Sequence, residues 1–275
     1  MLKADKIFKE VLVELIEEGT WDVNPRPKYK DGTPAHSVFV THKMFTYDIS
    51  KGELPITTLR PIAIKKAIGE ILWIYQDQTS DLDVLKNKYD IHWWDDWESD
   101  HKPGTIGQRY GATVRKYDLM NNILNGIKND PYGRRHIINL WQEADFKETD
   151  GLKPCAFLTD WTVRGEYLDV MLVQRSSDFS VAGHINSMQY VALLMMVARH
   201  CGLKPGKFSH TIINLHLYDR HIEQAKEMLN RTPIPCRPQL ILNPDKTDFY
   251  SFTPDDFTLV GYECNRPQLK FELAI

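Results

Sequence analysis

Residues 154–178 read PCAFLTDWTVRGEYLDVMLVQRSSD, two apolar-rich stretches, 155–163 and 166–175, broken by Arg164-Gly165. Alternation on either side of a glycine turn predicts a pair of strands. The cluster Gln174-Arg175-Ser176-Ser177-Asp178 then falls at the end of the second strand. Downstream, a helix from about Asn186 to Cys201 is apolar on most sides, which predicts burial rather than a solvent face, and Gly202 ends it. Residues 207–218 predict another strand leading into a helix at 219–229. Strand ends therefore carry the polar residues.

Upstream, residues 4–18 place Ile7, Phe8, Val11, Leu12, Leu15 and Ile16 on one helical face, with Gly19 as a stop. Residues 37–49 are rich in Val, Phe, Thr and Tyr and predict a strand, and 61–77 predict a helix carrying Glu70. Shorter strands are expected at 238–242 and 257–264. The class is mixed α/β without repeats. A chain of 275 residues with 42% hydrophobic content buries a substantial core, and no Pro/Gly/Ser-rich linker divides it, so one domain over 1–275 is expected.

The formal charge of -3 argues against a broad surface for a nucleic-acid polymer, so phosphate recognition would have to come from a local arginine cluster. Cys155, Cys201, Cys236 and Cys264 form no CxxC pair, which fits a reduced compartment better than a disulfide framework. The N-terminal stretch MLKADKIFKEVLVELIEEG carries acidic residues through its apolar pattern, unlike a signal or transit peptide. No apolar run is expected to reach membrane-spanning length, and a cytoplasmic protein is expected.

Several residues suggest chemistry, each with a plainer alternative. Cys155 is either a small buried hydrophobe or a nucleophile whose thiolate is favoured by Arg175, a residue that also suits an anionic ligand. Glu70, flanked by Ile68, Ile71, Leu72 and Trp73, is either bonded internally or faces a site, because an unpaired buried carboxylate is costly. Arg134-Arg135 follows the turn-like Asn129-Asp130-Pro131-Tyr132-Gly133 and precedes the strand-like His136 to Trp141, where adjacent arginines are usually just solvated. Asn186 either caps a helix or uses its amide to donate to one carbonyl and accept from one ring N–H of a ligand. His216 and Tyr218 lie on one side of a strand by period two. A metal site at His216 and His221 lacks a third ligand.

Taken together, Pro154-Cys155, Gln174-Arg175-Ser176-Ser177-Asp178, Asn186 and His216-Leu217-Tyr218 resemble, in order and spacing, the catalytic segments of the thymidylate synthase family. Asp31-Gly32-Thr33, Pro55-Ile56-Thr57-Thr58, Glu70-Ile71-Leu72-Trp73, Trp94-Asp95-Asp96-Trp97, Tyr110-Gly111 and Arg134-Arg135 extend the likeness over nearly the whole chain. The resemblance implies a single α/β domain whose sheet packs against its twin in a homodimer. It also implies a methyltransferase that converts dUMP to dTMP with 5,10-methylenetetrahydrofolate, without metal or nicotinamide. It makes Cys155, Glu70, Tyr110 and Arg175 catalytic. Arg26, Arg175, Ser176, Asp178, Asn186, His216 and Tyr218 would bind dUMP, joined by Arg134 and Arg135 from the partner. Trp94, Asp178 and Ile275 would contact the folate.

The chain departs from the family's pattern in places. Val181-Ala182-Gly183-His184-Ile185 replaces Leu-Gly-x-Pro-Phe, moving a glycine that would allow close approach to a ligand. Leu59, with Arg60 next, stands at a frequently basic position and bears on binding of a polyglutamate tail. Asp160 stands where glutamine is usual, and its added negative charge near the thiolate would raise the thiol pKa unless paired. Two alternatives remain: a pyrimidine-nucleotide hydroxymethylase on the same fold, or a catalytically silent nucleotide- or RNA-binding relative.

Overall fold

The computed structural model describes residues 1–275. The element order is α1 (Lys3–Glu18), β1 (Thr20–Trp21), β2 (Ser37–Asp48), α2 (Ile64–Tyr75), α3 (Leu82–Tyr89), α4 (Gly111–Lys116), α5 (Leu119–Asn129), β3 (Ile137–Asn139), α6 (Glu143–Glu148) and β4 (Ala156–Arg164). It continues with β5 (Tyr167–Asp178), α7 (Phe179–His200), β6 (Lys204–Tyr218), α8 (Ile222–Asn230), β7 (Gln239–Leu242) and β8 (Phe257–Val260). Six strands form one sheet in the order β1-β2-β6-β5-β4-β3, and β7 and β8 form a separate antiparallel pair.

The 154–178 stretch forms the expected hairpin, with Arg164 opposite Tyr167 and Gly165 at a positive φ of 62° in the turn. The β5–β6 pair is the one parallel pairing in the sheet, and parallel neighbours need a crossover, which α7 supplies. The crossover begins without a loop, since β5 ends at Asp178 and α7 starts at Phe179. Helix α7 packs on β5, β6 and α2. Its apolar residues Leu193, Leu194, Met196 and Val197 are fully buried, each contributing roughly 2 kcal/mol over an exposed position. A smaller cluster gathers Phe8, Leu12 and Leu15 of α1 against Val38, Leu215, Leu217 and Met228.

Several boundaries differ from the sequence reading. Helix α7 starts seven residues earlier than Asn186, so Asn186 is not its cap; Asp178 is, accepting from Val181 N at 3.4 Å. Helix α2 starts at Ile64 rather than 61, because the Pro61 carbonyl is taken by Gln268 Nε2 and Arg60 rather than by a helical turn. Strand β8 stops at Val260, where Gly261 takes a φ of 63° and packs against the Arg237 carbonyl. A 3-10 turn at Asp219–His221 precedes α8. The expectation that no apolar run reaches spanning length also fails: α7, at 22 residues, is long and apolar enough. Most of it, 72% of the apolar window, is buried inside the protein, as befits a core helix.

One buried charge ties the N-terminal helix to the segment before α2. Asp5 is fully buried and accepts from Thr57 Oγ1 (2.8 Å), Thr58 N (2.6 Å) and Thr58 Oγ1 (3.0 Å). This explains the Thr57-Thr58 pair structurally. Replacing Asp5 with alanine would leave three buried donors without an acceptor and should lower stability by about 3 kcal/mol or more, read as a fall in the urea midpoint; an unchanged midpoint would show that water replaces the carboxylate.

Candidate active site

Cys155 sits immediately before β4, partly buried, where β4 and β5 meet. Its backbone is held from two sides. The Arg175 guanidinium donates to Pro154 O (3.0 Å, Nε) and Lys153 O (2.7 Å, Nη2), and Arg175 N donates to Cys155 O (2.8 Å). Cys155 N donates to Tyr110 Oη at 2.9 Å. Burial pushes the thiol pKa up, while Arg175, as expected, and Arg26 pull it down; burial prevails. Arg26 is exposed at the edge of the site. Asp160 takes no part: it lies five residues along β4, about 16 Å away at strand rise, between Ile137 and Met171 on the sheet face away from α7.

Tyr110 is placed by an unusual backbone. Its φ is 46°, costly for a bulky residue, and Gly111 follows because a Cβ there would lie 2.3 Å from the Thr79 carbonyl oxygen. The Tyr110 ring is buried against Trp94 at 5.2 Å, edge to face. Burial drives the phenol pKa well above its usual value, with the Cys155 charge adding to the effect. Glu70, also buried, receives Trp93 Nε1 on one oxygen (2.7 Å) and Trp94 Nε1 on the other (3.0 Å). Desolvation raises its pKa, against the pull of those two indoles and Gln189. Trp93 was not anticipated; its position beside Trp94 was the only signal.

At the strand ends, Asp178 lies 3.3 Å from His221 Nδ1, while His221 Nε2 meets the Glu272 carbonyl at 2.8 Å. Burial works to lower the His221 pKa, but Asp178 raises it overall. His221 thus links the strand end to the C-terminal segment, a role distinct from the metal ligand considered above. His216 and Tyr218 pack edge to face at 5.1 Å, and His216 Nδ1 contacts Asn214 Oδ1 at 3.0 Å. Asn186 exchanges hydrogen bonds with Gln174 (3.2 Å) and Gln189 (3.0 Å). Ser176 sits between Arg175 and the buried Ser177, and its carbonyl accepts from Gln174. Ile275 pairs with Lys28 through both backbone bonds, 2.7 and 2.9 Å, bringing the chain end beside Arg26.

Arg134 and Arg135 do not lie beside Cys155 of their own chain, and the expectation places them at the partner's site. Arg134 and Arg135 are exposed, have no side-chain partner, and precede β3 where Ile137 faces Asp160; along β4 they lie about 20 Å from Cys155. Arg60 is buried and donates to Ser180 O and Val181 O, with its pKa pushed down to about 10 by burial. The 181–185 stretch is helix rather than loop: Gly183 accommodates the Phe179 ring, and His184 stacks on Phe8 at 4.4 Å.

A family model described as Thymidylate synthase matches residues 6–275. A thymidylate synthase of Streptococcus thermophilus is 55% identical over 286 residues, and one of Streptococcus pneumoniae 56% over 280, each match covering all of both chains. A solved structure of thermostable thymidylate synthase A from Bacillus subtilis superposes with a TM-score of 0.91 at 34% identity, covering 99% of each chain.

The raised Glu70 pKa has a stability consequence. The folded state holds this proton to a higher pH than the unfolded chain, so stability falls as pH rises from the ordinary value of 4.5 through the folded one. The urea midpoint should therefore fall as pH rises from 4.5, and Glu70→Gln, whose amide also sets one N–H against an indole donor, should flatten this fall whatever its own midpoint; an equally steep fall in the variant would refute this. Removing one indole donor, in Trp93→Phe, should raise the pKa further and move the acid limb of the kcat profile to higher pH.

Proposed function

The chain belongs to the thymidylate synthase family, and from that premise we propose how its own residues carry the reaction. It is a methyltransferase that converts dUMP to dTMP, with 5,10-methylenetetrahydrofolate supplying both the carbon and the hydride and leaving as dihydrofolate. Hydroxymethylation and silent binding lose to this reading because the full-length relatives are named for the synthase. Neither a metal nor a nicotinamide is needed, since the folate carries the carbon and the electrons.

The observation that carries the proposal is the double hold on Cys155: Arg175 donates its backbone N–H to the Cys155 carbonyl and its guanidinium to the Pro154 and Lys153 carbonyls just before it, and Tyr110 accepts from the Cys155 amide. The Cys155 thiolate adds to C6 of dUMP, which makes C5 nucleophilic toward the donated carbon. Tyr110 stays a neutral phenol by its raised pKa, so it assists as a hydrogen-bonding relay, with Glu70 and water completing removal of the C5 proton. Asn186 reads the uracil edge, and His216 and Tyr218 take the sugar. Asp178 lies between nucleotide and pterin, and Trp94 and Ile275 bound the folate side. Closing the site keeps water from intercepting the methylene intermediate.

Arg26, Arg175 and Ser176 hold the nucleotide phosphate, joined by the partner subunit's Arg134 and Arg135. Their distance from Cys155 in one chain supports donation across a homodimer. So does the exposed apolar sheet face of Met44 (63%), Ile137 (45%), Met171 (37%) and Ile213 (37%), on which a twin sheet would pack. Residues 1–275 act as one catalytic domain.

Purified protein given dUMP and methylenetetrahydrofolate should produce dihydrofolate and a methylated nucleotide by mass spectrometry; a hydroxymethylated product without dihydrofolate would overturn the reading. Cys155→Ser should lose turnover by more than about 1000-fold yet bind dUMP, and unchanged turnover would remove the covalent mechanism. Cys155→Ser mixed with the separately inactive double variant Arg134→Ala, Arg135→Ala should regain activity through hybrid dimers carrying one intact site. No recovery after confirmed subunit exchange would mean that the arginines serve their own chain.

A further inference from the structure

Arg134 and Arg135 sit in a short stretch of chain that is fixed at both ends. On the N-terminal side α5 ends at Asn129, and Asp130 N donates to Gly126 O at 2.9 Å. Gly133 N then donates to Asp130 O at 2.9 Å, which closes a β-turn over 130–133. On the C-terminal side His136 O accepts from Trp161 N at 2.9 Å, so the backbone there is registered to β4. Only the two arginines lie between Gly133 and His136, and both are exposed. The buried His136 ring turns back toward the turn, with Nε2 2.8 Å from Asp130 O. A carbonyl only accepts, so Nε2 carries a proton and donates. Asp130 O therefore receives one N–H from its own turn and one from the residue that opens onto β3. Gly126 makes room for the ring, since a Cβ there would lie 3.0 Å from His136 Nδ1.

We propose that His136 is a positioning residue that ties the 130–133 turn to the sheet and so holds Arg134 and Arg135 where they can reach the nucleotide phosphate of the partner subunit; this rests on the reading that the arginines are donated across the dimer. No other side-chain hydrogen bond joins residues 130–135 to the rest of the chain. The remaining backbone bonds of this stretch, Asp130 to Gly126, Gly133 to Asp130 and Ile137 N to Arg135 O at 3.0 Å, are all local in sequence and would survive a swing of the whole turn. The His136 bond would not, because its ring belongs to a residue whose own carbonyl is held by β4. Ordering two long side chains around a dianion already costs rotamer freedom, and a loose backbone beneath them would add to that cost each time nucleotide binds. His136 removes the backbone part of the cost in advance, at a distance from the nucleotide and on the subunit that does not supply the cysteine.

The test uses His136→Phe, which keeps a ring and loses the N–H, beside His136→Gln, whose amide nitrogen stands in for Nε2. Where the phenylalanine variant does not fold, His136→Asn, too short to reach Asp130 O, replaces it. In homodimers His136→Phe should raise KM for dUMP about 10-fold while kcat stays within about twofold, and His136→Gln should match the unaltered protein. Isolated hybrid dimers of His136→Phe with Cys155→Ser then show where the ring acts. Their one working site takes its cysteine from the His136→Phe chain and its arginines from the other, so KM should return to the unaltered value. A KM that stays high in the hybrid, a His136→Gln variant no better than His136→Phe, or a KM unmoved in the homodimer would each overturn the proposal. The hybrid of the double variant Arg134→Ala, Arg135→Ala with Cys155→Ser separates the premises. If it is inactive, donation across the dimer fails; if it is active while the His136→Phe result is negative, only the positioning role fails.

Discussion

Asp178 is the last residue of β5 and the cap of α7, and this loopless junction constrains the rest of the molecule. A helix that begins where a strand ends has its direction fixed by the strand. The crossover must return beside β5, and β6 therefore runs parallel to it, delivering His216 opposite Asp178. The polar residues arrive at one edge because three chain segments converge there: the start of β4, the end of β5 and the end of β6. The helix can be apolar on nearly every side because α2 covers what the sheet does not. Glu70 reaches the site from α2, and the cost of burying its charge follows from the same covering.

The buried charges illustrate two solutions. Asp5 and Arg60 are surrounded by partners of the opposite hydrogen-bonding type, three donors for one and carbonyls for the other, and they fasten segments together. Glu70 has two indole donors, and desolvation still prevails. Buried polar groups that are fully bonded specify structure, whereas those left short of partners mark places where the protein tolerates instability. The unmatched Gln189 Nε2 has counterparts elsewhere, among them both ring nitrogens of His184, Arg109 Nε and Gln224 Oε1, so the shortfall is spread through the protein and is not confined to the site.

Periodicity made α1, β2, the β4–β5 hairpin and β6 legible, since each has one strongly apolar face. It failed at the start of α7, where Phe179 to Ile185 carry small and polar residues whose helicity depends on the Asp178 cap and on Arg60 gripping Ser180 and Val181. The short helices α3 to α6 have no such face and are not legible in the sequence. Their stability comes from contacts such as Asp145 receiving Thr113 and Lys116, which no local pattern encodes. Motif spacing located Cys155, Arg175, Asn186 and Glu70, but Trp93 and Gln189 act through tertiary hydrogen bonds to those residues and were invisible to spacing.

The C-terminus shows why the strand-end cluster extends past Tyr218. Arg220 stacks on Tyr29 at 4.0 Å and binds Glu272 with two bonds of 2.9 Å, while its other nitrogen reaches Asp31 and Thr33. One guanidinium therefore joins the Asp31-Gly32-Thr33 turn to the final residues, and the turn in turn positions Lys28, which pairs with Ile275. A tail held only by its terminal carboxylate would fray; one held by an arginine, by His221 on the Glu272 carbonyl and by a backbone pair is registered against the same strand ends that carry Asp178. In the proposed reaction, a folate lying between Trp94 and Ile275 would meet a boundary whose position is set by residues already organised around the nucleotide. Order in the tail and order in the site then rise together.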